Sequence, residues 1–179
     1  MENQKTTTKI GLEYGIFFGS AMVLVFVIIY AMGIDLFENP MIGTTSSLLS
    51  YIVFPVTFIS LAIVAYKKAN QGYLSIGESI KTGVTVAFIA AAIMALFNVV
   101  FNMIFPEYMD EILSQTRKIM MKQNPSMTSA QINQALEMTK KFSSPIFSVP
   151  LTILIFTFVG LIYSLIIGAI NKKDKAFFN

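Results

Sequence analysis

The 179-residue sequence contains no cysteine, no histidine and no tryptophan, and charged residues make up only 13% of it. The absence of cysteine excludes disulfides, thiolate nucleophiles and sulfur-rich zinc sites. The absence of histidine removes the commonest general base and the commonest metal ligand. A soluble domain usually carries about 25% charged residues. This deficit, together with 55% hydrophobic residues, predicts an integral membrane protein.

Four apolar runs are long enough to cross a bilayer, which requires roughly 20 helical residues. Backbone groups in lipid must be hydrogen-bonded within their own segment, so the runs should be helices. The sequence therefore predicts an all-α fold: one membrane domain over residues 1–179, built as a four-helix bundle. The predicted spans cover residues 12–33, 46–66, 80–105 and 146–170.

The basic residues are distributed unevenly along the chain. The two tails and the second connection hold eight of the thirteen, whereas the first connection has Asp35 and Glu38 and no basic residue. The positive-inside rule then predicts that both termini are cytoplasmic, where the lysines can contact anionic headgroups. The eight residues are Lys5, Lys9, Lys67, Lys68, Lys81, Lys172, Lys173 and Lys175.

The third connection, residues 106–145, is too long to be a simple loop. Apolar residues recur at helical spacing on both sides of "NPSM", which predicts an outward, periplasmic helical hairpin with two weakly amphipathic arms. Thr128 with Gln131 makes a capping box before the second arm, and Ser75 with Glu78 makes another before the third span. The arms could pack on each other, on the membrane surface or on a partner.

Five methionines lie in this third connection. Thioethers can bind soft copper. Their spacing matches helix faces and no histidine or cysteine accompanies them, so flexible apolar packing is the favoured interpretation and no metal or cofactor is predicted. The five are Met109, Met120, Met121, Met127 and Met138.

Small residues recur every four positions in the first and last spans. In lipid, such ridges let helices approach closely. Because both ridges lie toward the cytoplasmic ends of their spans, we expect the first and fourth helices to touch there, with a homodimer seam as the alternative. The ridges are Gly11, Gly15 and Gly19, and Gly160, Ser164 and Gly168.

Several polar side chains and two prolines, Pro55 and Pro150, lie within the predicted spans. An ionisable or amide side chain inside a span is a functional candidate. Glu13 lies about one turn inside the first span, where its carboxylate can extend to the membrane interface at little free-energy cost. Asn98 and Asn102 share one face of the third span. Interfacial and structural roles are favoured, and proton- or ion-coupled transport by a homo-oligomer is the alternative. Pro55 cannot donate a hydrogen bond, which frees a carbonyl near Tyr51.

The sequence shows no motif for zinc hydrolysis, acyl transfer, phosphate cradling or dinucleotide binding. Basic residues follow the membrane borders, so the positive-inside rule explains most of them without a nucleic acid. We therefore expect a non-enzymatic protein whose partners are the lipid bilayer and a second copy of the chain or another membrane protein.

Three segments carry a resemblance to a known family: "KKANQGYLSIGESIKTG", "FPEYMDEIL" and "SLIIGAINKKDK". Together with four spans, they resemble the uncharacterised bacterial membrane family catalogued as domain of unknown function 4199, over nearly the whole chain. The resemblance implies a multi-pass protein of the inner membrane, frequent in Bacteroidota, and supplies no catalytic residues. Its most specific part is Gly72 and Tyr73, leading into Ser75, Gly77, Glu78, Lys81 and Gly83.

Overall fold

The computed structural model describes residues 6–36 and 38–174, and within them every extended element is a helix. Lys5 and Lys175, two lysines of the predicted cytoplasmic border, lie outside these residues. The elements are α1 (Thr7–Ala31), α2 (Pro40–Leu48), a π-helical turn (Leu49–Val53), α3 (Phe54–Ala69), α4 (Ile76–Ile104), α5 (Glu107–Gln123), α6 (Ser129–Ser143) and α7 (Pro145–Asn171).

Four helical stretches are long and apolar enough to cross a membrane, which confirms the predicted all-helical, four-span fold. They are Thr7–Ala31, Pro40–Ala69, Ile76–Ile104 and Pro145–Asn171. The second stretch starts earlier than the predicted residue 46, because its polar side chains do not end the helix. The Thr45 hydroxyl donates to the Met41 carbonyl and the Ser47 hydroxyl to the Gly43 carbonyl, so their polarity is satisfied internally.

The contacts divide the chain into two compact units. The first, here the bundle unit, comprises Met1–Met94 and Ile153–Asn179, and the second, the hairpin unit, comprises Ala95–Thr152. The core of the bundle unit contains Phe18, Ile59 and Ile63, all fully buried. The Phe18 ring stacks on Phe58 at 5.5 Å and meets Phe54 edge-on at 6.4 Å, which joins α1 to α3.

The small-residue ridges of α1 and α7 both pack against α4. A Cβ added at Gly15 would lie 2.7 Å from the Ile89 Cβ and 2.9 Å from the Val86 carbonyl oxygen, and α4 is equally close at Gly11 and Gly19. The ridges were predicted to bring the first and fourth helices together, whereas in the structure the glycines of each ridge lie against α4. α4 is the most buried of the four spans, and it meets the α1 ridge with Thr85, Ile89 and Ile93 and the α7 ridge with small residues.

The second ridge meets α4 through equally small partners. Gly160 lies against Ala87, Ser164 against Gly83, and Gly168 against Ser79. The Ser79 hydroxyl donates to the Ser164 carbonyl at 2.9 Å, a hydrogen bond buried between two helices. Successive residues of each ridge contact α4 residues that are four positions apart. The contacted α4 positions increase along α1 and decrease along α7. In the bundle unit, α1 therefore runs parallel to α4 and α7 antiparallel, as alternating spans require.

Pro55 acts as the sequence predicted. Its missing N–H leaves the Tyr51 carbonyl without its helical donor, and the Tyr163 hydroxyl of α7 donates to that oxygen at 3.0 Å. The helix widens into the π-helical turn just before the proline. The freed carbonyl thus becomes a tether between the second span and α7.

In the hairpin unit, α5 and α6 pack on each other. The apolar residues of α5 other than Met121 are half-buried, and Ile132 of α6 is 4% exposed. Arg117 donates to the Asn133 side chain across the pair. Thr128 and Gln131 form a capping box at the start of α6. The two apolar stripes are therefore largely satisfied within the hairpin, and the outer faces present mainly charged side chains.

The close contact of α1 with α4 predicts opposite effects for two Gly→Ala substitutions. Gly15→Ala should destabilise the protein by about 1–3 kcal/mol, because the added methyl meets backbone and a branched side chain. Gly77→Ala should be neutral or stabilising by up to about 1 kcal/mol, because Gly77 lies in α4 with nothing within 4 Å of the new methyl. Thermal unfolding of the two variants in the same detergent measures both. Equal melting temperatures would contradict the packing.

Candidate functional site

The connection between α3 and α4 begins with a helix-ending turn. The Gly72 N–H donates to the Lys67 carbonyl at 2.8 Å, with Gln71 at φ 56° and Gly72 at φ 82°. This is the pattern of a Schellman motif, in which the chain leaves a helix through left-handed backbone. The turn directs Tyr73, Leu74 and Ser75 back across the end of the bundle unit.

Glu78 is the centre of a hydrogen-bond network at this turn. Its Oε1 accepts from the Tyr66 hydroxyl at 2.8 Å and from the Asn70 amide at 3.3 Å. Its Oε2 accepts from the Ser75 backbone N–H at 2.8 Å and from the Ser75 hydroxyl at 2.9 Å. In return, the Glu78 N–H donates to the Ser75 hydroxyl oxygen at 3.2 Å. The half-buried carboxylate therefore caps α4 and also binds the end of α3.

The segment after α7 joins the same site. Leu74 is fully buried, and its backbone forms an antiparallel bridge with Lys173, with both N–H···O distances at 2.9 Å. The Lys173 ammonium lies 5.8 Å from the centre of the Tyr73 ring. The Lys67 ammonium donates to the Asn171 carbonyl at 2.6 Å, a favourable position for a cation at the end of α7. One site therefore holds the end of α3, the start of α4 and the end of α7.

The lysines near this site have different roles. Lys67 and Lys173 contact the chain itself, and Lys172 pairs with Asp174 at 2.8 Å on the surface. Lys68 and Lys81 are exposed. Some lysines of the basic border therefore have structural roles. Counting charges along the sequence does not distinguish them from the exposed lysines.

Glu13 lies on the exposed side of α1, whereas Gly11 and Gly15 are buried. Two residues correspond to about 200° around a helix, so the carboxylate and the glycines occupy opposite faces. The structure does not place Glu13 in a glycine-lined groove. In the other unit, the Asn102 side-chain N–H donates to the Asn98 carbonyl at 2.7 Å, and the buried Asn102 Oδ1 has no hydrogen-bond partner among the described residues.

The network around Glu78 was only partly visible in the sequence. The Ser75–Glu78 cap was predicted from its S-x-x-E spacing, whereas Tyr66, Asn70 and the Leu74–Lys173 bridge were missed. The signal for the first two was their place at the end of a span beside Gly72. The bridge joins residues 99 positions apart and leaves no local pattern. Among the described residues, no group of three or more acidic side chains could hold a metal ion.

Four membrane-length helices, packed through small residues, define a multi-pass membrane protein. Residues 13–173 match the family described as "Protein of unknown function (DUF4199)", so the chain belongs to that family, as the resemblance indicated. No curated protein and no solved structure matches it.

Replacement of Glu78 tests the role of the network. Glu78→Gln keeps one oxygen but turns an amide N–H₂ toward one pair of donors, so we expect a loss of about 1–3 kcal/mol in stability. Because Leu74 also holds Lys173, the loosened connection should release the end of α7. Trypsin should then cleave after Lys172 or Lys173 several times faster than in the parent protein.

Glu137→Gln is the matched control, because Glu137 is an exposed acid on α6. It should leave both the melting temperature and the cleavage rate unchanged. Parent-like trypsin cleavage and parent-like melting of Glu78→Gln would contradict the assignment.

Proposed function

We propose that this protein is a non-enzymatic scaffold or accessory protein of the bacterial inner membrane, with both termini in the cytoplasm and the α5–α6 hairpin in the periplasm. The main support is the use made of its polar side chains. Glu78, the carboxylate that lies within the helix packing, accepts four hydrogen bonds from its own chain. These hydrogen bonds join the end of α3 to the start of α4, which is a structural use of the carboxylate.

The charge distribution supports the proposed orientation. Lys68 and Lys81 are exposed on either side of the α3–α4 connection, and Lys9 is exposed near the start of α1. Exposed lysines at this end can contact anionic headgroups of the cytoplasmic leaflet. The connection between α1 and α2 carries Asp35 and Glu38 instead, as expected for the opposite side.

The hairpin supplies a partner surface of defined character. Since its apolar stripes pack on each other, a partner would meet charged outer faces together with a few exposed apolar side chains. Met121, Met138 and Phe142 are each more than half exposed. Such a mixed surface suits a protein partner better than the hydrocarbon layer, where exposed charges are costly.

Transport remains the second candidate, because one observation favours it. The buried Asn102 Oδ1 without a partner is a polar group that a water or an ion would satisfy. This alternative assigns the Asn98–Asn102 face to an ion path and gives Glu13 a role in coupling. It predicts ion flux in proteoliposomes that Glu13→Gln or Asn102→Val abolishes.

The absence of cysteine makes a clean test possible in intact cells. Single-cysteine variants Lys118→Cys, on the exposed face of α5, and Lys68→Cys, at the end of α3, are treated with a membrane-impermeant thiol-to-amine cross-linker. We expect a discrete heavier adduct from position 118 and no reaction at position 68. The adduct should persist when Glu13→Gln is added.

Three results would contradict the proposal. Labelling at position 68 in intact cells would reverse the orientation. The absence of an adduct from position 118, and from a second position on the outer face of α6, would contradict the proposed binding of a partner by the hairpin. Ion flux that depends on Glu13 or Asn102 would establish the transport alternative instead.

A further inference from the structure

An apolar groove lies between the second half of α1 and the stretch formed by α2 and the π-helical turn. Its volume is about 400 Å³, within the range of roughly 300–1,000 Å³ typical of ligand pockets. Val25 and Ile29 contribute to one wall, and Met41, Ile42 and Leu49 contribute to the other. The scaffold function proposed above does not use this groove.

The groove exists because α2 does not join the packed core. None of the nine residues of α2 is buried, whereas Ile59 and Ile63 of α3, in the same membrane-length stretch, are fully buried. The π-helical turn lies between these two helices. π-turns inside helices are frequently found at functional sites. Here the turn separates a packed half of the span from an unpacked half.

The walls select an acyl chain as the occupant. Both walls belong to helices of membrane-spanning length, so we expect the groove to face acyl chains in a bilayer. The lining is almost entirely apolar, and the hydroxyl of Thr45, which lies in the wall, already donates to the Met41 carbonyl. A hydrocarbon chain suits such a lining, in which Ser46 is the other polar residue beside Thr45.

The charges of the segment that connects the two walls favour one kind of headgroup. The connection between the two walls contains Asp35 and Glu38, and no lysine or arginine occurs from residue 10 to residue 66. The Asp35 carboxylate accepts the Glu38 backbone N–H at 3.2 Å, which keeps the two acids together. An anionic headgroup would be repelled there, whereas a primary ammonium would be attracted.

We propose that this groove binds an aminophospholipid of the phosphatidylethanolamine type, with one acyl chain between α1 and α2 and its ammonium beside Asp35 and Glu38. The bound lipid completes the packing that α2 lacks. The groove residues belong neither to the hairpin nor to the lysine border, so the lipid proposal is tested independently of the proposed scaffold role.

The test uses the full chain, purified from nanodiscs containing equal amounts of phosphatidylethanolamine and phosphatidylglycerol, and counts retained lipids by native mass spectrometry. We expect one retained phosphatidylethanolamine per chain, favoured about three- to fivefold over phosphatidylglycerol, as an exposed ion pair allows. Val25→Phe, which fills the groove, should reduce retention severalfold. Leu24→Phe is the matched control, since Leu24 is the neighbouring residue, 60% exposed and outside the lining, and it should retain the lipid.

The headgroup has its own pair of variants. Glu38→Gln should remove most of the preference for phosphatidylethanolamine, whereas Glu13→Gln, which removes a carboxylate near the other end of α1, should not. Equal retention of both lipids by the parent protein, or equal losses in Val25→Phe and Leu24→Phe, would reduce the site to ordinary annular lipid and overturn the proposal. A dimer without retained lipid would overturn it by making a second copy the occupant.

Discussion

The bundle unit depends on the close approach of α1 and α7 to α4. Bilayer lipid is as apolar as the helix surfaces, so burying apolar area gives little net drive for helices to associate, and packing at short range must supply it. Glycine, alanine and serine allow helices to approach this closely, as at Gly15, Gly160 and Gly83, where an added methyl would meet a neighbour. The glycines of α1 thus have a steric role: they allow α4 to lie directly against α1.

The polar network at one end of the bundle unit complements this packing. Small-residue contacts fix the distance between helices but resist sliding along their axes only weakly. Glu78 fixes α3 against the start of α4, and the Leu74–Lys173 bridge fixes the end of α7. The Tyr163–Tyr51 hydrogen bond adds a further tether between α7 and the second span. These contacts give several residues of the most specific family segment a structural role.

The number of spans and their helical state could be predicted because hydrophobic length is a local property of the chain. The small-residue ridges were also visible, yet their partner was not, since a ridge specifies that a helix can approach closely and not which helix does so. Glu13 illustrates the same limit. Gly11 and Gly15 lie two positions from it on either side, but the helical period of 3.6 residues places it on the opposite face from them. The groove beside α2 depends on where a span leaves the core, and no pattern in the sequence encodes that.

Disulfide formation in this cysteine-free chain tests the central role of α4 most directly. The pair Gly19→Cys and Ile93→Cys places two thiols between α1 and α4, where the Cβ atoms would be 2.9 Å apart before relaxation. The pair Gly15→Cys and Gly160→Cys places them on the two ridges of α1 and α7 at the same level of α4, where Gly15 meets Ile89 and Gly160 meets Ala87. The account predicts rapid oxidation of the first pair and little of the second, by the shift of each intact chain in non-reducing electrophoresis. Preferential oxidation of the second pair would show that the two ridges face each other and would contradict the account.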